Sequence, residues 1–295
     1  MQKWVDIAQP RKLLFWYFPY WVDASDQFGL EAFRGNLQEA HLQQPDFYIS
    51  VQAWGYRLDS GLPYIYRHPT QNELSAQVML ALAHGVKGIF FEPYYTYQSW
   101  LPDTGSIWVD AIVDTLQNNS FPPKDIYFTA QSISGRLGGR LGERLVDLNY
   151  SDHYLSARYF TPPDYYGNQT YDYLTLPYNQ AATTMNWHAG FFNRESYTED
   201  EYFFLANLLT GTSNSVHIKL TPPVSGYTNF RFRNYEGGFD TTFTGTQFTY
   251  MLTHPAGEGY LYEVAPDTED SWLPMIQSTR ISHCLKKWSS VTERR

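Results

Sequence analysis

Residues 69 to 91 constrain the fold more than any other stretch, because they specify a helix with both ends marked and a strand that follows without a linker. Thr70 stands at an N-cap with Glu73 three residues on, the capping-box spacing, and Pro69 precedes it. Leu74, Val78, Ala81 and Leu82 recur at helical spacing, and Gly85 supplies the left-handed stop. Lys87 to Phe91 then reads as a short apolar strand. Upstream, Leu13 to Phe18 reads as a buried strand closed by Pro19. Phe28 to Gln44 follows as a helix with Leu30, Phe33, Leu37 and His41 three or four apart, stopped by Pro45, and Phe47 to Gln52 as a second strand. Ile107 to Leu116 reads as a further helix. The alternation of strand and helix predicts a parallel sheet built from β/α units.

The texture then changes. Gly135 to Leu148 repeats a Gly-Arg-Leu-Gly string, but no Gly-Lys-Ser/Thr follows it, so a phosphate loop is rejected. Leu137, Leu141, Leu145 and Leu148 instead form the apolar stripe of an amphipathic helix whose solvated face carries Arg136, Arg140 and Arg144. Tyr150 to Thr183 is rich in Tyr, Pro, Asn and Asp without a clear period and reads as a connecting segment. Beyond it, short runs at Trp187 to Phe192, Tyr202 to Asn207, Ser215 to Leu220, Asn229 to Asn234, Gln247 to Leu252 and Gly259 to Val264 are separated by turn residues. Val216, Ile218 and Leu220 alternate with His217 and Lys219, the pattern of an antiparallel sandwich. The expected organisation is β/α units over 1–149, a connector over 150–183, a β-sandwich over 184–272 and a loosely attached tail over 273–295.

Composition narrows the function. Charged residues make up 17%, below the roughly 25% of average soluble domains, while hydrophobic residues reach 43%, which excludes a disordered chain. A net charge of -9 argues against nucleic acid as a partner. Runs such as Leu13 to Tyr20 fall far short of the roughly 20 apolar residues that cross a bilayer, so no membrane partner is expected. The single Cys284 excludes an internal disulfide or a multi-cysteine zinc site, and no metal or cofactor is expected. Met1 to Pro10 lacks a secretory pattern, which leaves an intracellular chain or a missing true start. Aromatic residues reach 18%, many beside Asp, Asn, Gln and Pro, a mixture suited to neutral polar ligands such as sugars.

Several strings resemble the last strands of the barrel in (β/α)8 glycoside hydrolases of the β-galactosidase-like group. They are Val51-Gln52-Ala53-Trp54-Gly55, Arg67-His68-Pro69-Thr70 with Glu73, Ala81 to Ile89, and Phe91 with Tyr94. Phe18-Pro19-Tyr20 is similar to a Tyr-Pro turn of such barrels, and Tyr202 to Asn207 with Pro255 to Gly259 resembles their C-terminal β-domain. The resemblance implies an α/β plus all-β fold, a partial (β/α)8 barrel followed by an antiparallel β-sandwich. Two departures accompany it. Only three β/α units are present where a closed barrel needs eight, and the strand that ends in a nucleophilic Glu in those enzymes holds Val51 and Gln52 here.

Glycosidases need two carboxyl groups about 5 to 9.5 Å apart. Glu92 is the acid that the strand reading places at a strand end, with Asp23, Asp26 and Asp59 on loops of the same face. It serves either as catalytic acid, base or stabiliser, or as a loop cap or partner of an arginine such as Arg67. Gln52 either holds a sugar hydroxyl or ties two loops as a buried amide. Trp54, Tyr94, Tyr95, Tyr97 and Tyr20 are candidate aromatic contacts and Arg67 a polar one; packing is the alternative for each tyrosine. His84 reads as structural, in a last helical turn where the dipole favours positive charge. The expected function is action on a glycosidic bond of an oligo- or polysaccharide, or else noncatalytic carbohydrate binding by a remnant of such an enzyme. Open sheet edges further suggest association with a missing N-terminal half or another copy.

Overall fold

A computed structural model describes residues 12–21, 26–58, 65–101, 105–114, 122–158, 167–179, 181–182, 184–194, 202–222 and 229–267. The first layer is a parallel sheet of β1 (Leu14–Trp16), β2 (Tyr48–Gln52) and β4 (Gly88–Glu92), in that order. Helix α1 (Asp26–Gln43) connects β1 to β2, and α2 (Gln71–Ala83) lies between β2 and β4 in the chain. A second small sheet joins β3 (Gly55–Arg57), β6 (Gly105–Asp110) and β5 (Tyr97–Leu101), all antiparallel. Helices α3 (Asp125–Leu137) and α4 (Arg140–Val146) follow.

The rest of the described chain is one large sheet of ten strands. These are β7 (Leu148–Arg158), β8 (Gly167–Tyr171), β9 (Leu174–Tyr178), β10 (Met185–Arg194), β11 (Tyr202–Asn207), β12 (Asn214–Leu220), β13 (Asn229–Asn234), β14 (Asp240–Thr244), β15 (Phe248–His254) and β16 (Gly259–Pro266). They run in the order β14-β13-β16-β11-β10-β7-β9-β12-β15, with β8 paired to β9. Every pairing is antiparallel except β7 with β9, so the sheet is mixed. Its two ends nearly meet: the rings of Phe243 on β14 and Phe248 on β15 stack with centroids 4.5 Å apart. Side chains from nearly every strand of this curled sheet, Leu155, Leu174, Trp187, Phe203, Ile218, Phe232 and Val264 among them, fill one interior core.

This architecture overturns the expected partial (β/α)8 barrel with an antiparallel sandwich. Strand makes up 48% of the described residues, only four helices occur among them, and no (β/α)8 pattern is seen. The resemblance to β-galactosidase-like glycoside hydrolases is overturned with it, since the strings that carried it fall on β2, β3, α2, β4 and the loops around them, and on β11 of the large sheet. The divergence has identifiable causes. Residues 150–183, read as a connector, supply most of β7 and all of β8 and β9, which join the large sheet. Ile107 to Asp110 belongs to strand β6 and not to a helix, because Ile107 and Val109 alternate with Trp108 and Asp110. The helix expected over 135–148 is broken in two at Gly138 and Gly139.

Helix α2 joins the parallel sheet to the large one. Every residue from Glu73 to Ala83 is buried, the mark of a helix enclosed on all sides. Its capping box forms as the sequence requires: Glu73 N–H donates to Thr70 Oγ1 and Thr70 N–H to the Glu73 carboxylate. The helix lies so close to β10 that a Cβ on Gly190 would overlap the Ala83 carbonyl. Strands β10 and β11 are accordingly buried on both faces, with Phe191 and Phe203 turned into the sheet interior and Phe192 and Phe204 into the helical layer. The arginine stripe is a solvated face only at Arg140; Arg136 and Arg144 are half-buried. Arg136 donates to Glu236 (2.8 and 2.9 Å) and Glu258 (2.7 Å), and Arg144 lies 4.8 Å over the Tyr235 ring, which ties α3 and α4 to the large sheet.

Candidate functional site

The site begins with the C-terminal end of β2. Gln52 is fully buried, and its side chain spends its hydrogen bonds on backbone: Oε1 accepts from Tyr20 N–H at 2.9 Å, and Nε2 lies within reach of the carbonyls of Arg67 (3.0 Å), Tyr20 and Trp54 (both 3.3 Å). The Gln52 backbone pairs in turn with the Gln77 side chain of α2. Gln52 therefore ties together the loops that leave β1, β2 and β3, and its amide has no free face for a ligand.

Arg67 and Tyr20 are drawn into the same structural knot. Arg67 makes a two-pronged ion pair with Glu73, at 2.6 and 2.7 Å, and lies 5.0 Å over the Tyr20 ring. Tyr20 is 1% exposed and donates its hydroxyl to the Glu73 carbonyl at 2.6 Å. These groups position the loops: Tyr20 and Glu73 are buried, and the Arg67 side chain is 28% exposed.

What those loops do present is an aromatic cluster. Trp54 meets Phe18 edge-on at 4.9 Å and Tyr66 at 5.6 Å. Tyr66 in turn lies 4.8 Å from Trp21, whose ring is 46% exposed and whose indole N–H is bonded to the Phe18 carbonyl at 2.8 Å. Burial raises the Tyr66 phenol above its ordinary value, so it stays protonated. Trp21 is the outermost ring, a residue that the sequence reading of Tyr20 alone misses; its signal is the aromatic, Pro-containing turn Phe18-Pro19-Tyr20-Trp21.

Glu92 ends β4 and is exposed, as is Tyr94 at 56%. Opposite Glu92 in the register stands the amide of Gln52, so the neighbouring strand brings it no second carboxyl group. Glu73 is held by Arg67, which is therefore not Glu92's partner. Tyr95 and Tyr97 form an exposed pair, with centroids 6.2 Å apart. Asp23 and Asp59 lie outside the described residues, as does the tail from 268.

A second, more polar cleft of about 540 Å³ lies where α2 and α3 begin, lined by His68, Thr70, Asn72, Asp110, Lys124 and Asp125. Two of its charges pair with each other: Lys124 is bonded to Asp110 and donates to Thr96 Oγ1 at 3.0 Å. Burial lowers both the Lys124 and the His68 values, which weakens this cleft as a place for a further charge. Among the described residues no group of three or more His, Cys, Asp or Glu could hold a metal ion, and no helix is long and apolar enough to cross a membrane. No protein-family model matches the chain, and no curated protein matches it.

Proposed function

We propose that the protein binds carbohydrate, without hydrolysing it, through the aromatic cluster at the C-terminal end of the parallel sheet. The observation that carries this reading is Trp21. Its indole is nearly half exposed, backed by Tyr66 and fixed in orientation by its bond to the Phe18 carbonyl. A ring held rigid before the ligand arrives loses little freedom on binding, and its apolar face suits the C–H face of a pyranose. Low charge and abundant tyrosine around it favour a neutral sugar over an ionic ligand. The amide opposite Glu92 supports binding over hydrolysis, because two carboxyl groups are what glycosidic cleavage requires.

Titration of tryptophan fluorescence with neutral mono- and oligosaccharides at millimolar concentration is the test. A saturable change is expected, weakened about 3- to 10-fold in Trp21→Ala, the range that one aromatic contact contributes. No binding by any sugar of the panel, or a Trp21→Ala protein that responds as the unmodified one does, sinks the reading.

A further inference from the structure

One face of the parallel sheet packs into the helical core; the other is buried along the central strand, at Ser50 and Gln52, and exposes apolar side chains on its two outer strands. Phe15, Ile49, Val51, Ile89 and Phe91 pack into the helical core. The opposite face displays Leu14 (42% exposed), Trp16 (61%) and Phe90 (44%), and the register sets Trp16, Ser50 and Phe90 in one row across the three strands. Parallel sheets are almost always covered on both faces. The outer edges of β1 and β4 also make no strand pairing among the described residues. The safeguards on these edges are slight, the shortness of the three-residue β1 and the single charge of Glu92 at the end of β4, with no lysine, proline or bulge inside either strand. Beside β4, on the helical side, runs a groove of about 850 Å³ lined by Leu82, Val86, Ile89, Phe91, Leu137 and Leu145 among others.

We propose that a second copy of this chain completes the sheet, with β1 of each copy lying parallel against β4 of the other. The two edges are complementary halves of one arrangement: both are strands of the same parallel sheet and, Glu92 at the end of β4 apart, both are apolar. A two-fold axis along the strand direction satisfies both edges of both copies at once, whereas a single β1-to-β4 contact repeated without closure grows a filament. The area is of the right order. Leu14, Trp16 and Phe90 together expose roughly 300 Å², a substantial part of the about 800 Å² that each partner of a stable complex buries. The groove and the edge backbones supply the remainder. Leu42, 60% exposed on the helix that follows β1, is a further apolar group that the groove can receive.

Light scattering coupled to size exclusion, over a hundredfold range of concentration, tests the arrangement on the full chain. Twice the chain mass is expected. Trp16→Lys and Phe90→Glu each change a side chain that points away from the core, so both proteins should melt as cooperatively as the unmodified chain, yet each should run as a monomer. Mixed in equal amounts they should associate again, because one interface then sets the introduced ammonium against the introduced carboxylate and the other retains Trp16 and Phe90. Met251→Lys, at a 57% exposed position on β15 of the large sheet, should leave the dimer intact. A chain that is monomeric throughout, a dimer indifferent to both substitutions, open-ended growth with concentration, or a mixture of the two variants that stays monomeric each overturns the proposal.

Discussion

The imidazoles of His84 and His188 are stacked with centroids 4.7 Å apart and planes 22° from parallel, and both are fully buried. They join the C-cap of α2 to β10 at the centre of the contact between the helical layer and the large sheet. Neither ring nitrogen of His84 has a hydrogen-bond partner among the described residues, nor does Nε2 of His188, whose Nδ1 meets Ser156 Oγ at 3.0 Å. The groups around them are Arg34 and His41 from α1 and the tyrosines 150 and 154 from β7, so among the described residues no carboxylate faces the pair directly. Burial first pushes both down; Arg34 adds to it at His84, which falls to about 3, and His84 and then Arg34 add to it at His188, which falls well below its ordinary value. The helix dipole that favours positive charge at this position is outweighed by desolvation.

Acid should therefore loosen this contact. The folded-state values lie below the 6.5 of an unfolded histidine, so the unfolded chain takes up protons first as pH falls. Stability is complete above about 6.5 and is lost progressively below it, by on the order of 1.4 kcal/mol per pH unit for each such histidine. His254, buried beside Tyr262 and lowered to about 3, contributes in the same direction. Urea unfolding at pH 7.5, 6 and 5 should show a steep decline, made shallower by His188→Phe. A midpoint that holds steady from pH 7.5 to 5 contradicts this account.

The pair Arg67 and Glu73 supports a second prediction. The Glu73 side chain is 5% exposed, bonded to both terminal nitrogens of Arg67 and to the Thr70 N–H. Glu73→Gln keeps the shape but leaves a partly buried guanidinium without its counter-charge, which costs about 3 kcal/mol. Because Tyr20 and Gln52 hang on the same loops, the change should also dim the response of Trp21 to sugar. Denaturant titration and fluorescence on the same variant check both effects; a loss under about 1 kcal/mol would show that the pair is effectively solvated.

Close approach of α2 to β10 leads to the third. A methyl group at position 190 would meet the Ala83 carbonyl, a backbone atom that cannot rotate away. Gly190→Ala should destabilise by about 1–3 kcal/mol, the usual range for overpacking. Gly211→Ala, where nothing lies within 4 Å of the new atom, should stay within about 0.5 kcal/mol of the original. Equal thermal midpoints for the two variants would remove the steric argument.

Local elements were legible where one rule acted alone. The Thr70 and Glu73 capping box, the Gly85 stop (φ +74°) and the alternation of Val216, Ile218 and Leu220 appear as their spacing requires. Topology was not legible, because it depends on which strands find one another. Strand β7 is an example: it is buried at Leu148 and from Leu155 to Ala157, while its middle is a mixture of exposed and half-buried polar and tyrosine residues that hides the two-residue period. Once β7, β8 and β9 enter the large sheet, the apparent connector becomes the link that lets the sheet curl. At the site, Gln52 stands out in the sequence by its position at a strand end, and Arg67 and Tyr20 by the strings of the resemblance, but their partners are backbone groups and a helix cap, which sequence spacing does not reveal.

Glu263 offers a last test, of how the large sheet is held at the β11, β13 and β16 junction. It is wholly buried and accepts from Arg194 at 3.2 Å, from the Tyr202 hydroxyl at 2.5 Å and from Arg233. The attraction is strong because water is excluded, and the same exclusion makes an unmatched charge costly. Burial, with the Glu263 carboxylate next, pushes the Tyr202 phenol well above its ordinary value, so it remains a donor throughout the neutral range. Glu263→Gln leaves two guanidiniums without the carboxylate they share and should cost about 3–5 kcal/mol. Arg233→Met alone should cost less, since Arg194 and Tyr202 still neutralise and solvate the carboxylate. Thermal and urea unfolding of both variants at neutral pH decides the ranking; if Arg233→Met proves the more damaging, the charge balance at Glu263 is not what secures these strands.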